Sequence, residues 1–104
     1  MSTRHEKTAL FEAIALMGKA FASSRRLELL DLLAQASRTV DELARESDQS
    51  TANTSQHLQA LHAAGMVTRR REGASVRYSL AGDEALSLWL ALRNSSLARL
   101  GEVE

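Results

Sequence analysis

At Gly65 the hydrophobic period of this 104-residue chain changes. Up to that point apolar residues recur at helical spacing; between Met66 and Leu80 they alternate with polar ones, with Val76, Tyr78 and Leu80 set against Arg77 and Ser79. A chain patterned this way is mainly α with a small β-hairpin. Glycine is the residue that ends a helix in left-handed backbone, so the switch has a physical marker. Other boundaries are marked too. Ser23 is placed to cap a helix over 23–36, with Leu27, Leu30, Leu33 and Ala34 facing inward. Thr39 followed by Glu42 forms a capping box for a helix of barely two turns, with Val40, Leu43 and Ala44 inward. Ser50 caps the next helix, which runs to about Ala64. Strands are expected over 66–71 and 75–80 around a Glu72-Gly73-Ala74 turn, and Asp83 caps or opens a final helix through about Arg99.

A short helix, a tight turn, a second helix and a basic two-stranded wing form a winged helix-turn-helix. The length supports one domain, residues 1–104, with the helix-turn-helix at 39–64 and the wing at 66–80. Residues 5–20 are apolar on nearly every side, and the last helix spreads its leucines over more than one face. Helices so apolar must be covered. Segments 1–20 and 83–104 are therefore expected to form a homodimer interface through Leu10, Ile14, Met17, Leu86, Trp89, Leu90 and Leu97, the last helix also covering its own core and Trp89 reading equally as a core residue.

Composition removes several functions. Without cysteine there is no disulfide, thiolate metal site or thiol redox sensor. The longest nearly apolar run, residues 9–17, is interrupted by Glu12 and is too short to span a bilayer. It also lacks the charged start and cleavage site of a signal peptide, so a cytoplasmic protein with no membrane partner is expected. His57 and His62 are five residues apart, about 140° around a helix, and do not share a metal. No His, Ser and acid constellation suggests catalysis. Neither enzyme activity nor a cofactor is expected.

The segment STANTSQHLQALHAAG (50–65) carries the functional reading. On a helical wheel Thr54, Leu58 and Leu61 point to the core, while Ala52, Gln56, Gln59 and Ala63 point away, flanked by Asn53 and Ser55. Carboxamides pair with the N6 and N7 edge of adenine, and small side chains allow close approach to a major groove. The helix N-terminus, with Thr51 and Ser55, suits phosphate. Thr51, Ala52, Asn53, Ser55, Gln56, His57 and Gln59 are the residues expected at double-stranded DNA, although His57, near the core edge, also reads as a hydrogen-bonded structural imidazole. The chain is neutral overall, with thirteen basic and thirteen acidic residues, but residues 66–80 hold four arginines against Glu72. Strand alternation lets only some of these arginines face a duplex, and Arg70 and Arg77 are preferred here over Arg69 and Arg71. The rival reading is a protein-interaction module that keeps the same fold.

RRLELLDLLAQ, TVDELA, TSQHLQALHAAGMV, RRREG and VRYSL together resemble the ArsR family of small winged-helix repressors over roughly residues 20–80. The resemblance implies a homodimer joined through its first and last helices, an inverted-repeat operator, and release by an effector. The family's soft-metal sensors place cysteine near positions matching Thr39 and Asp41. Its zinc-type sensors use histidine on the last helix, where 83–104 has none, and its thiol sensors use positions matching Asp31 and approximately Leu97. The effector is therefore left open. The wording of 23–35 and 52–59 is also similar to members fused to a rhodanese-like domain, which does not follow in these 104 residues.

Overall fold

The computed structural model describes residues 3–101, so the first two and last three residues of the expected dimer segments lie outside it. The elements run α1 (Arg4–Ala20), α2 (Ser24–Gln35), β1 (Arg38–Thr39), α3 (Val40–Glu46), α4 (Thr51–Ala63), β2 (Val67–Glu72), β3 (Ser75–Leu80) and α5 (Asp83–Arg99). The expected caps form. Ser23 Oγ accepts from the Arg26 N–H, and Ser50 Oγ accepts from the Asn53 N–H. At Thr39 both halves of the capping box are present, the Glu42 N–H donating to Thr39 Oγ1 at 3.2 Å and the Thr39 N–H donating to Glu42 Oε1 at 2.8 Å. Gly65 follows α4 with φ of 78°, the left-handed conformation that glycine adopts without strain. Asp83 opens α5 as its first residue, with Gly82 in the capping position.

One element went unforeseen. Arg38 and Thr39 form a two-residue strand that pairs antiparallel with β3, Arg38 opposite Tyr78 and Thr39 opposite Arg77, which makes a three-stranded sheet of order β1-β3-β2. So short a strand has no periodicity of its own; tertiary pairing creates it. The junction matters because Thr39 ends the strand and caps α3 at once.

The core lies where α2, α3 and α4 meet the sheet and the start of α5. Leu29, Leu30, Leu43, Leu58 and Leu61 are fully buried, joined by Met66, Tyr78 and Trp89. The turn between α3 and α4 is fixed from two sides. Ser47 is buried with its hydroxyl donating to the Leu43 carbonyl at 2.6 Å, and Arg25 of α2 donates to the Ser47 carbonyl at 3.1 Å. Asp48 takes a positive φ of 54° there, which the short polar side chain of aspartate tolerates.

α1 behaves differently. Only its C-terminal end joins the protomer, through buried Ala20 and half-buried Met17. Leu10, Phe11 and Ile14 are 55%, 62% and 52% exposed. The radius of gyration is 15.2 Å, against about 13 Å for a compact domain of this length. The excess fits a helix of about 25 Å that leans on little of its own chain.

Leu58 and Leu61 are the two fully buried leucines that α4 contributes to this core. Leu58→Ala is expected to cost about 2–5 kcal/mol, a large share of the roughly 5–15 kcal/mol available to a domain. Urea denaturation at fixed protein concentration measures it; a loss under about 1 kcal/mol would show that α4 is not anchored through this side chain.

Candidate nucleic-acid interface

α4 is amphipathic in an unusual sense, because its outward face is polar without being charged. Thr54, Leu58 and Leu61 are buried, and Thr54 adds a hydroxyl bond to the Ser50 carbonyl at 2.8 Å. Ala52, Gln56, Gln59 and Ala63 are exposed, as are Thr51 and Asn53, while Ser55 is half-buried. No carboxylate sits anywhere in the helix. The first turn thus presents backbone N–H groups and the positive end of the helix dipole to solvent, and the nearest acidic residue lining the space beside Thr51 and Ser55 is Asp41 of α3.

His57 faces away from this surface. It is half-buried, and its Nδ1 accepts from Arg26 Nε of α2 at 3.3 Å. Arg26 in turn donates through Nη1 to the Lys19 carbonyl at the end of α1. An accepting Nδ1 requires a neutral imidazole with its proton on Nε2. The structure therefore gives His57 the structural place at the core edge, and Arg26, from a helix 31 residues earlier, orients it.

The wing's register sorts the arginines. In β2 and β3, Arg69 lies opposite Tyr78, Arg71 opposite Val76, and Arg70 opposite Arg77. Directly opposed residues in an antiparallel pair share a face. Tyr78 is buried, so Arg69 and Arg71 lie on the face turned toward α4, and Arg70 and Arg77 on the other. Arg69, Arg70, Arg71, Ser55 and Gln59 line a groove of about 410 Å³ between α4 and the hairpin, together with Val40, Val76 and Tyr78. The groove width is set by the wing and the helix together.

Arg70 is 75% exposed and lies 3.7 Å from Glu72. Arg77 is engaged inward, bonding Glu72 through Nε at 2.6 Å and Nη2 at 3.1 Å. The expected pair of DNA-facing arginines is thus split by the structure: Arg70 stays largely exposed with a single long ion pair to Glu72, and Arg77 is held by several protein groups. Arg69 and Arg71, passed over in the sequence, line the groove beside α4 together with Arg70. Core burial of Tyr78 is the signal that reveals this, and it becomes usable only once the strand pairing is known.

Among the expected dimer residues, Leu10, Ile14 and Leu90 are exposed, Leu86 and Leu97 are half-buried, and Met17 and Trp89 pack into the protomer's own core. Asp31 of α2 pairs with Arg93 of α5 at 3.3 Å, an exposed link between the central domain and the last helix. Among the described residues, no three His, Asp or Glu side chains are grouped to hold a metal ion, and no helix is long and apolar enough to cross a membrane.

Residues 23–69 match the family model of bacterial regulatory proteins of the arsR family. Over 96 residues the chain is 34% identical to the uncharacterized HTH-type transcriptional regulator Rv0081 of Mycobacterium tuberculosis, covering 91% of this chain and 83% of that protein. This chain belongs to the arsR family. Another family relative, the HTH-type transcriptional regulator Rv0324 of M. tuberculosis, is 38% identical over 93% of this chain, which spans only 43% of the relative's length. Among solved structures, the homodimeric winged helix-turn-helix DNA-binding domain (fragment 1-100) of Mb0332 from Mycobacterium bovis superposes with a TM-score of 0.88 at 38% identity, covering 96% of this chain and 91% of that one. The fold is the winged helix-turn-helix of arsR-family transcriptional regulators, and the family is one of regulators rather than enzymes.

Burial, and then the charges of Arg26 and Arg25, hold the His57 pKa below its ordinary 6.5. On acidification the unfolded chain therefore takes up this proton before the folded one does. Stability is expected to decline as pH falls through 6.5 and to stop declining once the folded imidazole is protonated as well. His57→Gln is expected to flatten that part of the curve, between about pH 7 and pH 6. Thermal unfolding across this range is the measurement; an unchanged slope in the variant would assign the decline to another group.

Proposed function

We propose that the protein is a homodimeric transcriptional repressor that binds an inverted-repeat operator, reading the major groove through the outer face of α4. The observation that carries this reading is the uncharged face of Ala52, Gln56, Gln59 and Ala63 beside a groove lined by Arg69 and Arg71. Gln56 and Gln59 would read base edges, with Asn53 on the flank and Ala52 and Ala63 allowing close approach. Thr51, Ser55 and the α4 N-terminus would hold one phosphate run, and Arg69, Arg70 and Arg71 the backbone beside the wing. His57 supports the helix from behind through Arg26 rather than touching bases.

The exposed apolar faces of α1 and α5 support the dimer. Leu10, Phe11 and Ile14 on α1 and Leu88, Leu90 and Leu92 on α5 form the kind of surface that a second copy covers. The similar M. bovis domain is described as homodimeric and DNA-binding. A two-fold dimer places its two reading helices about 34 Å apart, or a multiple of that, along the duplex. Within these 104 residues an effector would find no thiol to act on.

Fluorescence anisotropy with duplexes enriched from a random library, against scrambled duplexes and across a salt series, tests the reading. A preference of about a hundredfold or more, with affinity falling steeply as salt rises, is the expected result. Gln56→Ala is expected to remove about 1–3 kcal/mol of discrimination at its base pair while sparing the salt dependence. No preference at any salt would transfer the face to a protein partner. Separately, Ile14→Glu is expected to shift the protein from dimer to monomer in sedimentation velocity, because it places a charge in the apolar face; a dimer that survives would exclude α1 from the interface.

A further inference from the structure

A single acidic residue on a hairpin meant to meet phosphates needs a reason. Glu72 is the only carboxylate in residues 66–80, and its partner explains it. Arg77 engages Glu72 with both Nε and Nη2, at 2.6 and 3.1 Å, in the bidentate arrangement that fixes a guanidinium plane. Nη1 donates to the Ser37 carbonyl at 3.2 Å, in the link between α2 and β1. Nη2 also lies 3.9 Å from Glu42 Oε1, the oxygen that already accepts the Thr39 N–H in the α3 capping box. One guanidinium therefore joins the hairpin, the α2–β1 link and the first turn of α3. Its side chain is 24% exposed, against 75% for Arg70.

We propose that Arg77 is a positioning residue for DNA recognition: it sets the angle of the wing against the helix-turn-helix, and so the width of the groove between Arg69 and Arg71 on one side and Ser55 and Gln59 on the other. The proposal rests on the DNA-binding reading above. An isolated exposed ion pair contributes little. A two-stranded ribbon is marginal by itself, however, and β1 pairs with this hairpin only at Arg77 and Tyr78; toward the turn, apolar packing of Val76 and the polar bonds of Arg77 are what hold it to the rest of the domain. With three partners on three segments, Arg77 limits how the ribbon can swing. Lysine would keep the charge but not the planar fork.

The test compares Arg77→Ala, Arg77→Lys, Glu72→Gln and Arg71→Ala in two measurements. Without DNA, amide hydrogen exchange over residues 67–80 reports wing order, with the amides of α2 and α4 as the folding control. With DNA, anisotropy against library-enriched and scrambled duplexes gives the discrimination ratio and the salt slope. Arg77→Ala, Arg77→Lys and Glu72→Gln are each expected to speed wing exchange by about tenfold while α2 and α4 stay protected. All three should lower discrimination, and Arg77→Ala should leave the salt slope intact, whereas Arg71→Ala lowers the slope by about 0.9. Glu72→Gln is the discriminating variant. Simple electrostatics has it bind DNA more tightly after losing a negative charge; a positioning role has it discriminate less. Unchanged wing exchange in these variants would overturn the proposal alone, as would a slope lowered by Arg77→Ala as much as by Arg71→Ala. Failure of the wild-type chain to enrich any sequence would remove the DNA-binding reading, and the positioning role with it.

Discussion

Thr39 is the point on which the geometry of this domain turns. Its backbone pairs with β3 opposite Arg77, its N–H goes to Glu42, and its hydroxyl closes the first turn of α3. Sheet and helix-turn-helix therefore share a residue, and neither can rotate far without breaking the other's terminal bonds. The cap alone is worth about 1 kcal/mol. Its architectural effect is larger than that figure, since α3 sets the turn at Ser47, and the turn sets the direction in which α4 leaves. The outward face of α4 inherits its orientation from a hydroxyl and a carboxylate at the start of α3.

Two kinds of chemistry are kept apart in this arrangement. The helix that faces outward holds neutral groups and small side chains, while the charge is gathered on β2. On the proposed function, specificity and affinity would reside on different elements, with the groove between them matching the two. The proposed dimer would add a third requirement. An α1 that touches its own protomer only near Met17 and Ala20 has most of its apolar surface available to another chain.

Much of this was legible in the residues. Ser23, Thr39 with Glu42, Ser50 and Gly65 mark boundaries by local hydrogen-bonding chemistry, which acts within four residues and so can be read from spacing alone. The outward set on α4 followed from the helical period, because one buried stripe defines the opposite face. What escaped was long-range. Strand β1 exists only through pairing with residues 38 or more positions later. The faces of the arginines depend on register, which the alternation of four charges cannot fix. Trp89, which read as either core or dimer interface, is buried in the protomer core, where α5 packs against α2. His57 read as both a base contact and a structural imidazole, and a contact with Arg26 across 31 positions gives it the second place.

The four outward positions of α4 have an evolutionary consequence. Thr54, Leu58 and Leu61 hold the helix in place, and Ser50 and Gly65 define its ends; Ala52, Gln56, Gln59 and Ala63 take no part in either task. If the face reads DNA, these sites form a vocabulary that a gene duplicate can rewrite without renegotiating the fold beneath it. Paralogues could acquire new target sites by substitutions that leave folding, pairing and the charge on the wing as they were. Divergence of regulatory networks would then need few mutations, each tolerated by the scaffold at the moment it arose.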